Sequence, residues 1–102
     1  MIMETPVPER RQTVRQQIIA LLLVQEATAL DISQALAIRE KEVAGHLEHI
    51  ARSVRSHGRT LVVTPGRCQG CGFVFGRRRF SRPGRCPQCR GSHLSQPSFR
   101  LY

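Results

Sequence analysis

Cys68 and Cys71 in CQGC and Cys86 and Cys89 in CPQC form two CxxC pairs separated by fourteen residues, and no other pattern restricts this chain so tightly. A two-residue spacer lets both thiolates of one tight turn aim at a single ion. Two such turns close a tetrahedral shell of four sulfurs. That spacing predicts one structural Zn²⁺ held by Cys68, Cys71, Cys86 and Cys89, with no coordination position left for a substrate. Disulfides fit less well, because they belong to oxidising compartments and MIMETPVPERR lacks the apolar stretch of a signal peptide. The chain is therefore expected in the cytoplasm. A dithiol redox motif would need one pair in a βαβ setting, which the sequence does not offer. Iron remains chemically compatible with four sulfurs.

Charge divides the 102 residues in two. Residues 1–51 carry five basic and seven acidic side chains, whereas residues 52–102 carry eleven arginines and no Asp or Glu. An arginine-biased genome explains why fifteen of the sixteen basic residues are Arg. It does not explain the missing acids. Four thiolates on Zn²⁺ add a local charge of −2, which Arg67, Arg85 and Arg90 beside them help to compensate. The rest of that positive field attracts a polyanion, and nucleic acid is the expected partner. No membrane association is expected, since the longest apolar run, IIALLLV, has seven residues.

The periodicities predict an α+β chain in three parts. Residues 1–12 read as a flexible arm containing Pro6 and Pro8. Residues 13–64 read as a winged helix-turn-helix domain of three helices and a β-wing. Thr13-x-x-Gln16 is a capping box ahead of Val14, Ile18, Leu21 and Leu22, in a helix ending near Val24 or Gln25. Thr28-x-x-Asp31 starts a short second helix expected to bury Ile32, Ala35 and Leu36. After the turn Ala37–Arg39, a third helix from about Glu40 to Val54 aligns Val43, Leu47, Ile50 and Val54 on one stripe. A helix, a three-residue turn and a longer helix suit major-groove reading, and TLVVT suits a wing. A three-helix bundle that merely packs would bury the same stripe.

Residues 65–102 read as a small β zinc ribbon joined directly to the first domain. Phe73–Phe75 is expected as a strand, Gly76–Arg79 as a basic turn, and Phe80 as the start of a return strand, with further strands at His93–Ser95 and Ser98–Leu101. A module this small folds only with help, and metal binding worth on the order of 10 kcal/mol supplies it.

The succession ISQALAIREKEVAGHLEHIARSV, TLVVTPGRCQGCGFVF and RPGRCPQCRGSHLSQPSFRLY resembles small prokaryotic, archaeal-type transcriptional regulators in which a helix-turn-helix domain is fused to a C-terminal zinc ribbon. The resemblance runs from about Thr13 to the end. It implies a winged helix related to the ArsR-like group and a zinc site at the four cysteines. One departure is Arg39, where the family pattern prefers a Ser-type N-cap; its loss costs about 1 kcal/mol, partly offset by Glu40 and Glu42.

The outer face of the third helix is not basic. Lys41, Gly45, Glu48 and Arg52 lie opposite its buried stripe, flanked by Glu42, His46 and His49. We therefore expect shape and one or two base contacts from Lys41, Gly45, His49 and Arg52, while Arg55, Arg59, Arg77, Arg78, Arg79 and Arg82 hold phosphates. Solvated helix positions are the plainer reading of Glu48 and its neighbours, and of His46 and His49, which with Glu42 would otherwise make a second metal site. His57 and His93 belong to no motif. No nucleophile motif or phosphate-binding glycine loop supports an enzyme; only dithiol redox chemistry would make it one. Two other partners are carried forward: RNA polymerase, met by the acidic helical half as in the outline of transcription factor E, and structured RNA, which cationic ribbons bind. Homodimers are common among helix-turn-helix readers, but no dedicated dimerisation helix is evident.

Overall fold

The structure is a computed structural model describing residues 13–76, 80, 81 and 83–102. The expected N-terminal arm and Arg77, Arg78, Arg79 and Arg82 lie outside the described residues.

Helix α1 (Val14–Val24) begins where the sequence places it. The Thr13 hydroxyl accepts from the Gln16 amide at 3.1 Å, and the Gln16 side chain accepts from the Thr13 amide at 2.9 Å. Two otherwise unpaired helix-end amides are thereby satisfied. Strand β1 (Ala27–Thr28) follows, and Thr28 serves twice: it ends the strand and caps helix α2 (Ala29–Leu36) in a reciprocal box with Asp31. The buried face of α2 is Ala29, Ile32 and Ser33, with Leu36 half-buried against the core; Ala35 is exposed, contrary to expectation. Positions 29, 32, 33 and 36 share one helical stripe, and Ala35 falls on the polar side of it. The Ser33 hydroxyl satisfies itself on the Leu30 carbonyl at 2.8 Å.

Ala37 takes a left-handed conformation (φ 58°) to end α2. Helix α3 (Glu40–Ser53) then starts without a side-chain cap at Arg39, with Glu40 and Glu42 in its first turn. Val43, Leu47, Ile50 and Val54 are all buried, as their spacing requires. A 3₁₀ turn (Val54–His57) runs on to Gly58, whose φ of 74° reverses the chain.

Strand β2 (Leu61–Thr64) occupies the expected TLVVT segment, but its partner is distant. It pairs antiparallel with β3 (Ser98–Leu101), and β3 pairs in turn with β1, giving the order β1-β3-β2. Ser98–Leu101 is thus not a strand of the ribbon; it is the central strand of the sheet that packs on the helices. Phe99 and Leu101 are fully buried among Ile18, Leu22, Ile32, Leu47 and Ile50. Alternation explains the change of address: Phe99 and Leu101 face one side at period two, toward the apolar faces of the helices that cover them. Each such burial stabilises the fold by about 1.5–3 kcal/mol. At the start of the central strand, Ser98 and Glu26 hydrogen-bond through their side chains.

The architecture is therefore mixed α+β: three helices against a three-stranded sheet, with the cysteine module inserted between β2 and β3. Inside that module the expected strands are reduced to single bridges, Arg67 to Val74 and Cys68 to Leu94. The knuckle turns consume the backbone that longer ladders would need. Phe80, expected to open a return strand, instead packs against the helical core. Among the described residues no helix is long and apolar enough to cross a membrane.

Candidate metal centre and nucleic-acid face

Both knuckles are built by the same backbone bonds. The amide of Cys68 donates to the Phe73 carbonyl (2.7 Å) and that of Gly72 to the Cys68 carbonyl (2.9 Å); the amide of Cys86 donates to Gly91 (2.9 Å) and that of Arg90 to Cys86 (2.8 Å). Both turns need a left-handed residue directly after their second cysteine. Gly72 fills that place with φ 85°, and Arg90, a residue with a Cβ, fills it with φ 64°. Gly66 is required for another reason: a Cβ there would stand 2.5 Å from the Ser95 carbonyl oxygen. The Ser95 hydroxyl also accepts from the Arg67 amide at 2.9 Å, so residues 66–67 and 95 clamp the two ends of the module together.

These turns bring the four Sγ atoms within 4.8 Å of one another. The closest pairs cross between knuckles, Cys68 to Cys89 at 3.5 Å and Cys71 to Cys86 at 3.6 Å. Zn–S bonds of about 2.3 Å in a tetrahedron put sulfurs about 3.8 Å apart, close to this arrangement, whereas a disulfide requires about 2 Å. All four thiols are free. Amides of Cys71, Gln88, Cys89 and Gly91 point at the sulfurs from 3.3–3.4 Å. Such donors favour the thiolate form that a metal needs.

The electrostatics of the bare tetrad are uneven. At Cys68 the hydrogen bond from the Cys71 amide outweighs burial and, with the Gly70 amide, lowers the thiol to about 6. Cys71 receives its largest single influence, a lowering one, from the Phe73 amide, but burial and the thiols of Cys86, Cys68 and Cys89 together push it up to about 12. One thiol deprotonates readily and a neighbour resists, because negative charges collect within a few ångströms. A divalent cation relieves that repulsion. The residues fit one structural Zn²⁺.

Among the described residues this is the only group of three or more side chains placed to hold a metal. Glu42, His46 and His49 are not brought together, His93 contributes its backbone carbonyl to Gln69 (2.8 Å), and His57 leans on the Ser53 carbonyl. The expected nucleic-acid residues Lys41, Gly45, His49 and Arg52 on α3, Arg55 in the 3₁₀ turn and Arg59 beyond it are all exposed. Arg52 and Arg55 share the wall of a groove between α3 and β2. Gly45 is open: a Cβ there would meet nothing within 4 Å. Sequence reasoning missed Gly66 and Ser95 as clamps, and counted Arg100 only among the eleven arginines of residues 52–102. Arg100 is instead half-buried, reaching the Leu23 carbonyl and lying 5.3 Å from the Tyr102 ring. No local pattern announces any of these three, since each depends on a partner at least 28 residues away or on the sheet register.

Known protein families divide the chain between residues 62 and 65. Residues 13–62 match the family described as PF0610-like, N-terminal, and residues 65–102 match the PF0610 rubredoxin-like zinc beta-ribbon domain. No curated protein matches the chain. The solution NMR structure of protein PF0610 from Pyrococcus furiosus is similar over 100% of this chain and 94% of its own, with a TM-score of 0.76 at 26% sequence identity. Four clustered thiols, two matching knuckles and these matches make the chain a PF0610-like N-terminal domain continued by a rubredoxin-like zinc ribbon.

Proposed function

We propose that this protein is a cytoplasmic, DNA-binding transcriptional regulator, in which α2, the turn at Ala37 and α3 form a helix-turn-helix, β2 and β3 form its wing, and the zinc ribbon extends that wing. The observation that carries the reading is the element order: helix, strand, two helices, then two strands, with the third strand central and the β2–β3 hairpin standing beside α3. A bundle that only packs has no use for a hairpin whose connection is a cationic metal module.

In this reading α3 enters the major groove with Lys41, Gly45, His49 and Arg52 outward. Gly45 allows close approach because no side chain stands there, and Glu48 can accept from a cytosine amino group. Arg55 and Arg59, at the helix exit, and Arg77, Arg78, Arg79 and Arg82, by their charge in the sequence, bind phosphates. A closed thiolate shell offers no position to a substrate, which supports a binding role over an enzymatic one. The test is competition: labelled duplex DNA on the zinc-loaded protein, challenged with hairpin RNA and with RNA polymerase. The proposal expects unlabelled duplex to displace the probe best. Displacement by RNA or polymerase at lower concentration would replace DNA by that partner.

A further inference from the structure

A groove of about 520 Å³ runs between the outer side of α3 and β2, with Phe80 at its end. One wall is the open edge of the sheet. Thr60 and Tyr102 exchange both backbone hydrogen bonds, so in the antiparallel register Val62 and Thr64 also bond toward β3. The amides and carbonyls of Leu61 and Val63 therefore point away from β3, and among the described residues β2 has no strand on its other side. The opposite wall is one face of α3 and the 3₁₀ turn, running from Glu48 past Ala51 and Arg52 to Arg55. The eight residues from Glu48 to Arg55 rise about 10 Å along the helix, and the four of β2 about the same along the strand. A helix facing an open strand edge across such a gap is the geometry in which an extended peptide adds a strand.

We propose that this groove binds a short extended acidic peptide of a partner protein, which pairs with β2 at Leu61 and Val63. Charge selects the occupant. Arg52 and Arg55 stand at one end and Glu48 at the other, so a carboxylate is held at the arginine end and repelled from the Glu48 end. Alternate side chains of the added strand turn toward α3, where Ala51 and Phe80 favour apolar residues and the arginine end favours a carboxylate on that same face. The inference stands apart from DNA binding, though both use Arg52 and Arg55, so a bound peptide and a bound duplex exclude each other.

The experiment uses the zinc-loaded full chain, ¹⁵N-labelled, titrated with a blocked hexapeptide Glu-Ser-Val-Ser-Val-Ser, whose glutamate and valines share one face, and with a counterpart carrying lysine in place of the glutamate. The acidic peptide should move the Leu61 and Val63 amide signals saturably, slow their hydrogen exchange at least tenfold, and bind at least tenfold more tightly than the basic one. Val63→Pro removes an outward donor without touching the ladder to β3, and should weaken binding at least tenfold. The exposed pair Arg52→Glu and Arg55→Glu, which does not depend on that backbone, should reverse the preference between peptides. Equal binding of both peptides, shifts confined to other residues, or movement of the Leu61 and Val63 amides by a duplex but not by the peptide would each overturn the proposal.

Discussion

The ring of Phe80, carried by the cysteine module, lies 6.0 Å from the ring of Phe99, the central side chain of the helical core, at an interplanar angle of 52°. Phe99 itself arrives by a strand that follows the module in sequence. Metal module and helices are thus joined by a shared core as well as by the chain. Removing zinc should therefore lower the thermal midpoint of the helical circular dichroism signal, rather than melting the ribbon alone. Phe99→Ala should cost about 3–5 kcal/mol and Phe80→Ala about 1–2 kcal/mol in urea unfolding of the zinc-loaded protein. Helices whose melting ignores chelation would contradict this coupling.

The two left-handed residues of the knuckles make opposite predictions. Gly72→Ala introduces a Cβ at φ 85° and should cost about 1–2 kcal/mol. Arg90→Gly relieves the same strain at φ 64° and should stabilise the folded metal site by about 1 kcal/mol, minus the extra freedom of the unfolded chain. Zinc competition against a chromophoric chelator reads both, as a several-fold loss and a gain of a few-fold.

Metal uptake should depend on pH in a definite direction. The Cys68 thiol is lowered to about 6, so its thiolate is present above that value and is lost as the pH falls through it. Cobalt added to the metal-free protein should develop its sulfur-to-metal charge-transfer band progressively less as the pH falls, because every ligand thiol gives up its proton on binding, Cys71, pushed up to about 12, most reluctantly and Cys68 most readily. An uptake profile that ignores pH would contradict ligation by the four thiolates.

Gly45 separates folding from binding. It sits mid-helix with open space around it, so Gly45→Ala should stabilise α3 by about 1 kcal/mol. Gly45→Trp should fold, yet lose DNA affinity at least tenfold if α3 approaches the duplex closely. Equal affinity in both variants would remove α3 from the interface.

Local chemistry was legible in the sequence. Capping boxes at Thr13 and Thr28, the stripe from Val43 to Val54 and the two CxxC turns each act within a few residues, and each stands where it was read. Long-range choices were not legible. Ser98–Leu101 is a β-prone segment whichever sheet it joins, and only the unfilled apolar surface between Ile18, Leu47 and Ile50 draws Phe99 and Leu101 there. Ala35 was misplaced because alanine fits a buried and an exposed position equally well, so its identity carries no signal. Arg77, Arg78, Arg79 and Arg82 are plain in sequence as charge, but charge alone does not say which polyanion they meet.

The most direct test of the central claim, that the cationic zinc module and α3 grip a duplex together, is the salt dependence of DNA affinity measured by fluorescence anisotropy on the zinc-loaded chain. The account predicts a steep linear fall of log K with log salt, and a slope shallower by about 2 to 3 units when Arg77, Arg78 and Arg79 are replaced by alanine. A flat response in the unsubstituted protein, or a slope those replacements leave unchanged, would contradict it.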